Sequence, residues 1–155
     1  MKTNYGKRYN YVKTQFVCHS ENVSLARMLT GSFITNSNEK NLDLTVSQLE
    51  EIKVAVSEAV SNAIIHGYNS DGKGMVTFTL ESREKALIIG ISDSGAGIDD
   101  VEQAMQPSFS TKAERMGLGF AFMHSFMDKV VVESEKGKGT EVTLIKTLPI
   151  REELL

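Results

Sequence analysis

The 155 residues make a chain the size of one ordinary domain, and 41% hydrophobic with 24% charged residues places it among folded globular proteins. A formal charge of −3 supplies no basic field to hold a phosphate backbone, so direct nucleic-acid binding is not expected. A single cysteine, Cys18, cannot close an internal disulfide, the opening MKTNYGKRYN lacks the apolar stretch of a secretion signal, and no apolar run approaches the roughly 20 residues that span a bilayer. A cytoplasmic chain with no membrane segment is predicted, forming one domain over residues 1–155.

Residues 9–17, YNYVKTQFV, alternate loosely and read as a first strand. Cys18 reads as a small buried hydrophobe, because no Cys-His-Asn arrangement surrounds it. Ser20 can cap a helix whose apolar side is Val23, Leu25, Met28 and Leu29, ending near Phe33 before the polar loop 36–41. The next helix has the clearest pattern. Thr45 and Gln48 form a capping box, and Leu49, Ile52, Val56, Ala59, Val60 and Ala63 recur at helical spacing until Gly67 closes it. Alternation in 76–80 and 87–91 predicts a hairpin, and 101–105 a short helix. Residues 107–119, PSFSTKAERMGLG, show no period and read as a mobile loop, with helical spacing resuming over 120–126. Residues 130–133 and 140–147 read as two strands joined by the turn 135–139. Helices interleaved with hairpins predict an α+β, two-layer α/β sandwich, with a mixed, mostly antiparallel sheet covered by helices on one face.

Three clusters carry chemistry. On the long helix, Glu51, Ala55, Glu58, Asn62 and His66 follow spacings of four and three and form their own stripe. A step of four residues rises about 6 Å, so Glu58 and Asn62 can address adjacent parts of one ligand. Magnesium suits them: it takes one or two protein oxygens and fills its shell with water and phosphate oxygens. Asn62 can offer an oxygen while Glu58 stays free to accept a proton. A solvated helix face gives the same spacing, and His66 can simply stabilise the last carbonyls of the helix.

The second cluster is Asp93-Ser94-Gly95-Ala96-Gly97, at the end of a strand. Asp93 is a fixed acceptor for the exocyclic amine of adenine, beside glycine backbone that a flat ring can approach; a tight turn needs the same residue types. The third is Met116-Gly117-Leu118-Gly119-Phe120, read as opening a helix and preceded by Thr111, Lys112 and Arg115. Glycine amides, a helix N-terminus and cations suit a triphosphate, although neither GxxxxGK[ST] nor GxGxxG is present. A loop with incidental charge remains open here.

Taken in order, Glu58…Asn62, DSGAG at 93–97, GLG at 117–119 and Gly139-Thr140 resemble the ATP-binding domains shared by gyrase, the Hsp90 chaperones, histidine kinases and MutL (the Bergerat-type ATP-binding fold). Within that family the chain is similar to the serine-kinase anti-sigma factors of spore-forming bacteria, through SLARMLTGSF, EIKVAVSEAVSNAIIHGY, QPSFSTK and GLGFAFMHSFMD.

The resemblance implies ATP and Mg2+ held under a lid. By motif position, Glu58 would be the general base and Asn62 the magnesium ligand. Asp93 would accept from the adenine amine, Gly95 and Gly97 would let the ring approach, and Thr140 would help fix it through water. Arg115 and the amides of Gly117, Leu118, Gly119 and Phe120 would hold the phosphates, with Thr111 at the start of the lid. Arg27 matches a position that contacts the sigma factor. The implied partners are a sporulation sigma factor, an anti-anti-sigma protein phosphorylated on serine, and a second copy of the chain. Two departures stand out: the segment between Lys112 and Gly117 is shorter than the family's pattern, and Met116 stands where a small polar residue is usual. A nucleotide-gated sigma-binding module without kinase activity, and an anti-sigma kinase of another stress sigma factor, are the competing readings.

Overall fold

The computed structural model describes residues 4–37, 42–106 and 111–148, with the backbone alone for 111–115. Five strands form one sheet: β1 (Arg8–Val17), β2 (Met75–Arg83), β3 (Ala86–Asp93), β4 (Lys129–Glu135) and β5 (Gly139–Thr147), in the order β1-β2-β3-β5-β4. All four pairings among the described residues are antiparallel, so the parallel component of a mixed sheet is not found there. Period-two alternation sets the faces: Val76, Phe78 and Leu80 of β2 and Leu87, Ile89 and Ile91 of β3 are buried, while Thr77, Thr79 and Glu81 turn the other way.

The helices α1 (Glu21–Thr35), α2 (Val46–Asn62), α3 (Val101–Met105) and α4 (Thr111–Phe126) complete the second layer. α2 is the central one. Its capping box is formed, with Gln48 N donating to Thr45 Oγ1 at 3.0 Å and Thr45 N to Gln48 Oε1 at 2.9 Å. Ile52, Val56, Ala59 and Val60 of α2, with Phe120 and Met123 of α4, meet the inner face of the sheet through Phe78, Leu80, Ile89 and Leu144. Each such side chain stabilises the fold by about 1.5–3 kcal/mol through removal from water. Cys18 is buried as a small hydrophobe and donates its thiol to Asp71 Oδ1 at 3.2 Å.

Three local expectations are corrected. Ser20 precedes α1 in a helical conformation, and its hydroxyl makes no cap bond; its carbonyl instead accepts from Val23 N at 3.1 Å. Gly67 does not end an α-helix: α2 stops at Asn62 and passes into a π-helical turn, Ala63–Gly67, in which Tyr68 N donates to Ala63 O five residues back at 3.1 Å. Residues 111–119 are not a loop, because α4 begins at Thr111 and carries both glycines of GLG in its interior. Inside this helix the amides of Gly117, Leu118 and Gly119 have helix carbonyls four residues back as partners. Residues 107–110, 38–41 and 149–155 lie outside the described residues, and with them parts of the expected loops.

Candidate functional site

β3 and β5 pair so that Asp93, the last residue of β3, stands opposite Thr140 near the start of β5. The C-terminal end of α2 and the π turn lie over that pair, and α4 closes the remaining side. Between them is a cavity of about 20 Å³, with polar walls from Asn62, His66, Asp93 and Thr140 and apolar ones that include Ile91, Ile98, Met116 and Phe120. Such a volume holds about one water, far below the 300–1,000 Å³ of a ligand site. Met116 and Phe120 of α4 line the same cavity as Asp93.

Asp93 is 8% exposed. Burial pushes its carboxyl above the usual aspartate range, against the opposing pull of hydrogen bonds from the backbone amides of Gly95 and Thr140. The Gly95 amide donates to Oδ1 at 2.9 Å. The two glycines of DSGAG have separate reasons. Gly97 has φ +72°, in the left-handed region, and a side chain there would collide with the Glu135 carbonyl. Gly95 packs on the backbone of Gly67, leaving no room for Cβ.

Glu58 and Asn62 share one face of α2, as their spacing predicts. A Cβ placed on Gly119 would stand 3.0 Å from Glu58 Oε2 and 3.4 Å from Asn62 Nδ2, so both side chains meet the same point of α4. Burial raises the Glu58 carboxyl above its ordinary value, as suits a group that accepts a proton. Asn62 Nδ2 is buried without a hydrogen-bond partner among the described residues. A side-chain amide can present its oxygen instead of its nitrogen by turning over, so this orphaned end suits a hard cation. Among the described residues no group of three His, Cys, Asp or Glu could hold a metal ion.

The structure thus gathers Glu58, Asn62, Asp93, Gly97, Thr140, Gly119 and Phe120 at one site, with Gly95 behind Asp93 and Gly117 buried in α4. Leu118 is 44% exposed and points away from the core. Thr111 and Arg115 lie in the first turns of α4, and their side chains are outside the described residues. Arg27 is not brought to the cavity. It is exposed on α1, beside Met28 and facing Glu50 and Lys53 of α2 across a separate groove.

Sequence reasoning missed two residues. Ser134 Oγ accepts from Ile98 N at 2.7 Å and shares a 2.8 Å hydrogen bond with Thr140 Oγ1, tying the DSGAG loop to the threonine. Tyr68 Oη accepts from Ser94 N at 2.7 Å and donates to Met75 O at 2.7 Å. A serine in a strand gives no signal of such a role, and the tyrosine follows a glycine that reads as a helix stop.

Comparison with known proteins gives the family from sequence and the fold from shape. Residues 21–146 match the model of the histidine kinase-like ATPase domain. The anti-sigma F factor of Geobacillus kaustophilus is 47% identical over 88% of this chain and 92% of that protein, and the anti-sigma F factor of Clostridium acetobutylicum 42% identical over 93% and 98%. The catalytic domain of the histidine kinase ThkA superposes with a TM-score of 0.53 at 20% identity, covering 88% of this chain and 95% of that one, which bears on the fold alone. The chain belongs to the anti-sigma F factor family, within the histidine kinase-like ATPase domains.

Proposed function

We propose that this chain is a single-domain anti-sigma factor and protein serine kinase: it binds and inhibits a sporulation sigma factor, and transfers the γ-phosphoryl group of ATP to a serine of the antagonist that releases that factor. The observation that carries the kinase reading is the convergence of Glu58 and Asn62 on α4 at one end of the cavity whose other wall holds Asp93 and Thr140. Support for the sigma partner comes from the relatives' names and from Arg27, exposed on α1. The family's working form, a cytoplasmic dimer, is proposed with it. No helix among the described residues is long and apolar enough to cross a membrane.

Asp93 accepts from the adenine amine, and Thr140, its hydroxyl fixed by Ser134, supports the ring. Asn62 would hold Mg2+, which when bound would supply charge neutralisation for the phosphates. The substrate serine oxygen attacks the γ-phosphorus, its bond to ADP oxygen breaks, and the serine proton passes to the Glu58 carboxylate. Positioning supplies most of the acceleration, so the base acts late and no covalent enzyme intermediate is needed. Arg115 and the amides of Gly117, Leu118, Gly119 and Phe120 take the phosphates once the first turns of α4 release those amides from their helix bonds.

The test is purified chain with labelled ATP, Mg2+ and the candidate antagonist, read as phosphoserine. Label on the antagonist is the expected result. Nucleotide-dependent capture of the sigma factor with no label would instead leave a binding module that does not transfer phosphate.

A further inference from the structure

Asp93 is the last residue of β3, and the segment after it has no ladder partner to fix it, so the direction of its carboxylate depends on how residues 94–96 are held. Four hydrogen bonds do this, one of them from the β4–β5 turn, where Gly137 N donates to Ala96 O at 2.6 Å. Inside the segment, Gly95 N donates to Asp93 Oδ1 at 2.9 Å. From outside, Ala96 N donates to Gly67 O at 2.8 Å, and Ser94 N donates to Tyr68 Oη at 2.7 Å. The last two acceptors are adjacent residues at the end of the π turn. Tyr68 is itself anchored: its hydroxyl donates to Met75 O at 2.7 Å, where β2 begins, and its ring lies against Gly74, where any side chain would overlap it. The extra residue of the π turn is what brings Gly67 and Tyr68 to the same loop; π turns of this kind collect at functional positions.

We infer that Tyr68 is a positioning residue for nucleotide-base selection: its hydroxyl bridges Ser94 N and Met75 O, and so aims the Asp93 carboxylate at the exocyclic amine of the purine. This rests on the proposed contact between Asp93 and adenine. The hydroxyl bonds to backbone beside Asp93 and at the start of β2, not to Glu58, so it acts on base recognition and not on phosphoryl transfer. Removing it hands the exposed Ser94 amide and Met75 carbonyl to water and frees the segment carrying Gly95, whose amide fixes Asp93 Oδ1.

The experiment compares ATP with inosine triphosphate, which has a carbonyl where adenine has its amine, in wild type, Tyr68→Phe and Asp93→Asn. Phenylalanine keeps the ring on Gly74 and loses only the hydroxyl. In Tyr68→Phe, KM for ATP rises and the preference for ATP over inosine triphosphate falls, each by about threefold to tenfold, as for one hydrogen bond, while kcat stays within about twofold. A merely structural tyrosine would lower the thermal midpoint and leave the ATP-to-inosine-triphosphate ratio at its wild-type value, and that result overturns the inference. Asp93→Asn separates the two levels: if it collapses the ratio and Tyr68→Phe does not, the Tyr68 role alone fails. If Asp93→Asn also leaves the ratio unchanged, the adenine contact fails and the Tyr68 role with it. Tyr68→Leu, which removes ring and hydroxyl together, is expected to lose the ratio to at least the same degree.

Discussion

Gly119 of α4 packs directly on Glu58 of α2, so close that a methyl group on the glycine would stand 3.0 Å from the glutamate Oε2. Because Gly119 has no side chain, α4 passes close over both Glu58 and Asn62. The amides of residues 117–120 are then used inside the helix, and offering them to phosphates requires the first turns of α4 to open. Glycine lowers the cost of that opening, because a helix interior favours alanine over it by about 1 kcal/mol. Gly119→Ala is therefore expected to strengthen the helical form and weaken ATP binding by about fivefold, with Glu58 giving way by a few tenths of an ångström. Calorimetric titration with ATP checks this; unchanged or tighter binding would show that α4 does not need to open.

The same contact places Glu58 beside Gly119 of α4, and burial keeps its carboxyl above the ordinary range. Its proposed work begins after ATP is bound. Glu58→Ala is expected to reduce phosphoserine formation by about 10²–10⁴-fold while the ATP dissociation constant stays within about threefold. Loss of nucleotide affinity on the same scale as loss of transfer would assign Glu58 to binding instead.

Where sequence and structure part company, the physical reason differs from case to case. The α2 helix was legible because two independent local signals agree on it, the Thr45–Gln48 box and the recurrence of Ile52, Val56, Ala59 and Val60. Glu58 and Asn62 were legible for the same reason, since a fixed spacing on a doubly signalled helix settles which side chains meet. The segment 111–119 was not legible. Its glycines and charges fit a loop, and what makes it helical is packing of Gly119 and Phe120 on α2, a tertiary term that outweighs weak propensity. The π turn was hidden too: Gly67 reads as a stop, whereas its role is to bring its backbone against Gly95 and its carbonyl to Ala96 N. Tyr68 and Ser134 reach the site through hydrogen bonds to Ser94 and Ile98, far along the chain, which no periodicity announces.

Asp93 gives a prediction with a definite sign. Its folded-state carboxyl is held above the ordinary value of 3.8 by burial, so the native state binds that proton more readily than the unfolded state. Stability from this group therefore falls as pH rises through the raised value, and near neutral pH the buried charge is a standing cost. Asp93→Asn removes the charge and keeps an acceptor oxygen for the Gly95 amide. At pH 7 the nucleotide-free variant is expected to unfold about 2–4 °C above wild type, the effect of ~1 kcal/mol in a chain this long. The gap should close as pH falls through the raised value toward 3.8. ATP affinity moves the other way, down about tenfold or more as a hydrogen bond to a charged group is lost. Thermal scans from neutral to acid pH decide it: a gap that widens on acidification would mean that Asp93 is stabilised, not strained, by its surroundings.

Arg27 tests the separation of the two activities. It is exposed on α1 and lines a groove with Met28, Glu50 and Lys53, while Asn62 and Asp93 line a separate cavity and Glu58 meets Asn62 at Gly119. An exposed cation that steers an acidic or polar partner contributes through charge, so reversing it should do more than truncating it. Arg27→Glu is expected to weaken capture of the sigma factor by about tenfold or more, and Arg27→Ala by less, with ATP affinity unaltered in both. Phosphorylation of the antagonist in the absence of sigma factor should remain measurable, since neither variant touches the cavity. Sigma affinity equal to wild type in Arg27→Glu would remove this face of α1 from the interface, and a parallel fall in ATP affinity would mean that groove and cavity are coupled through α2.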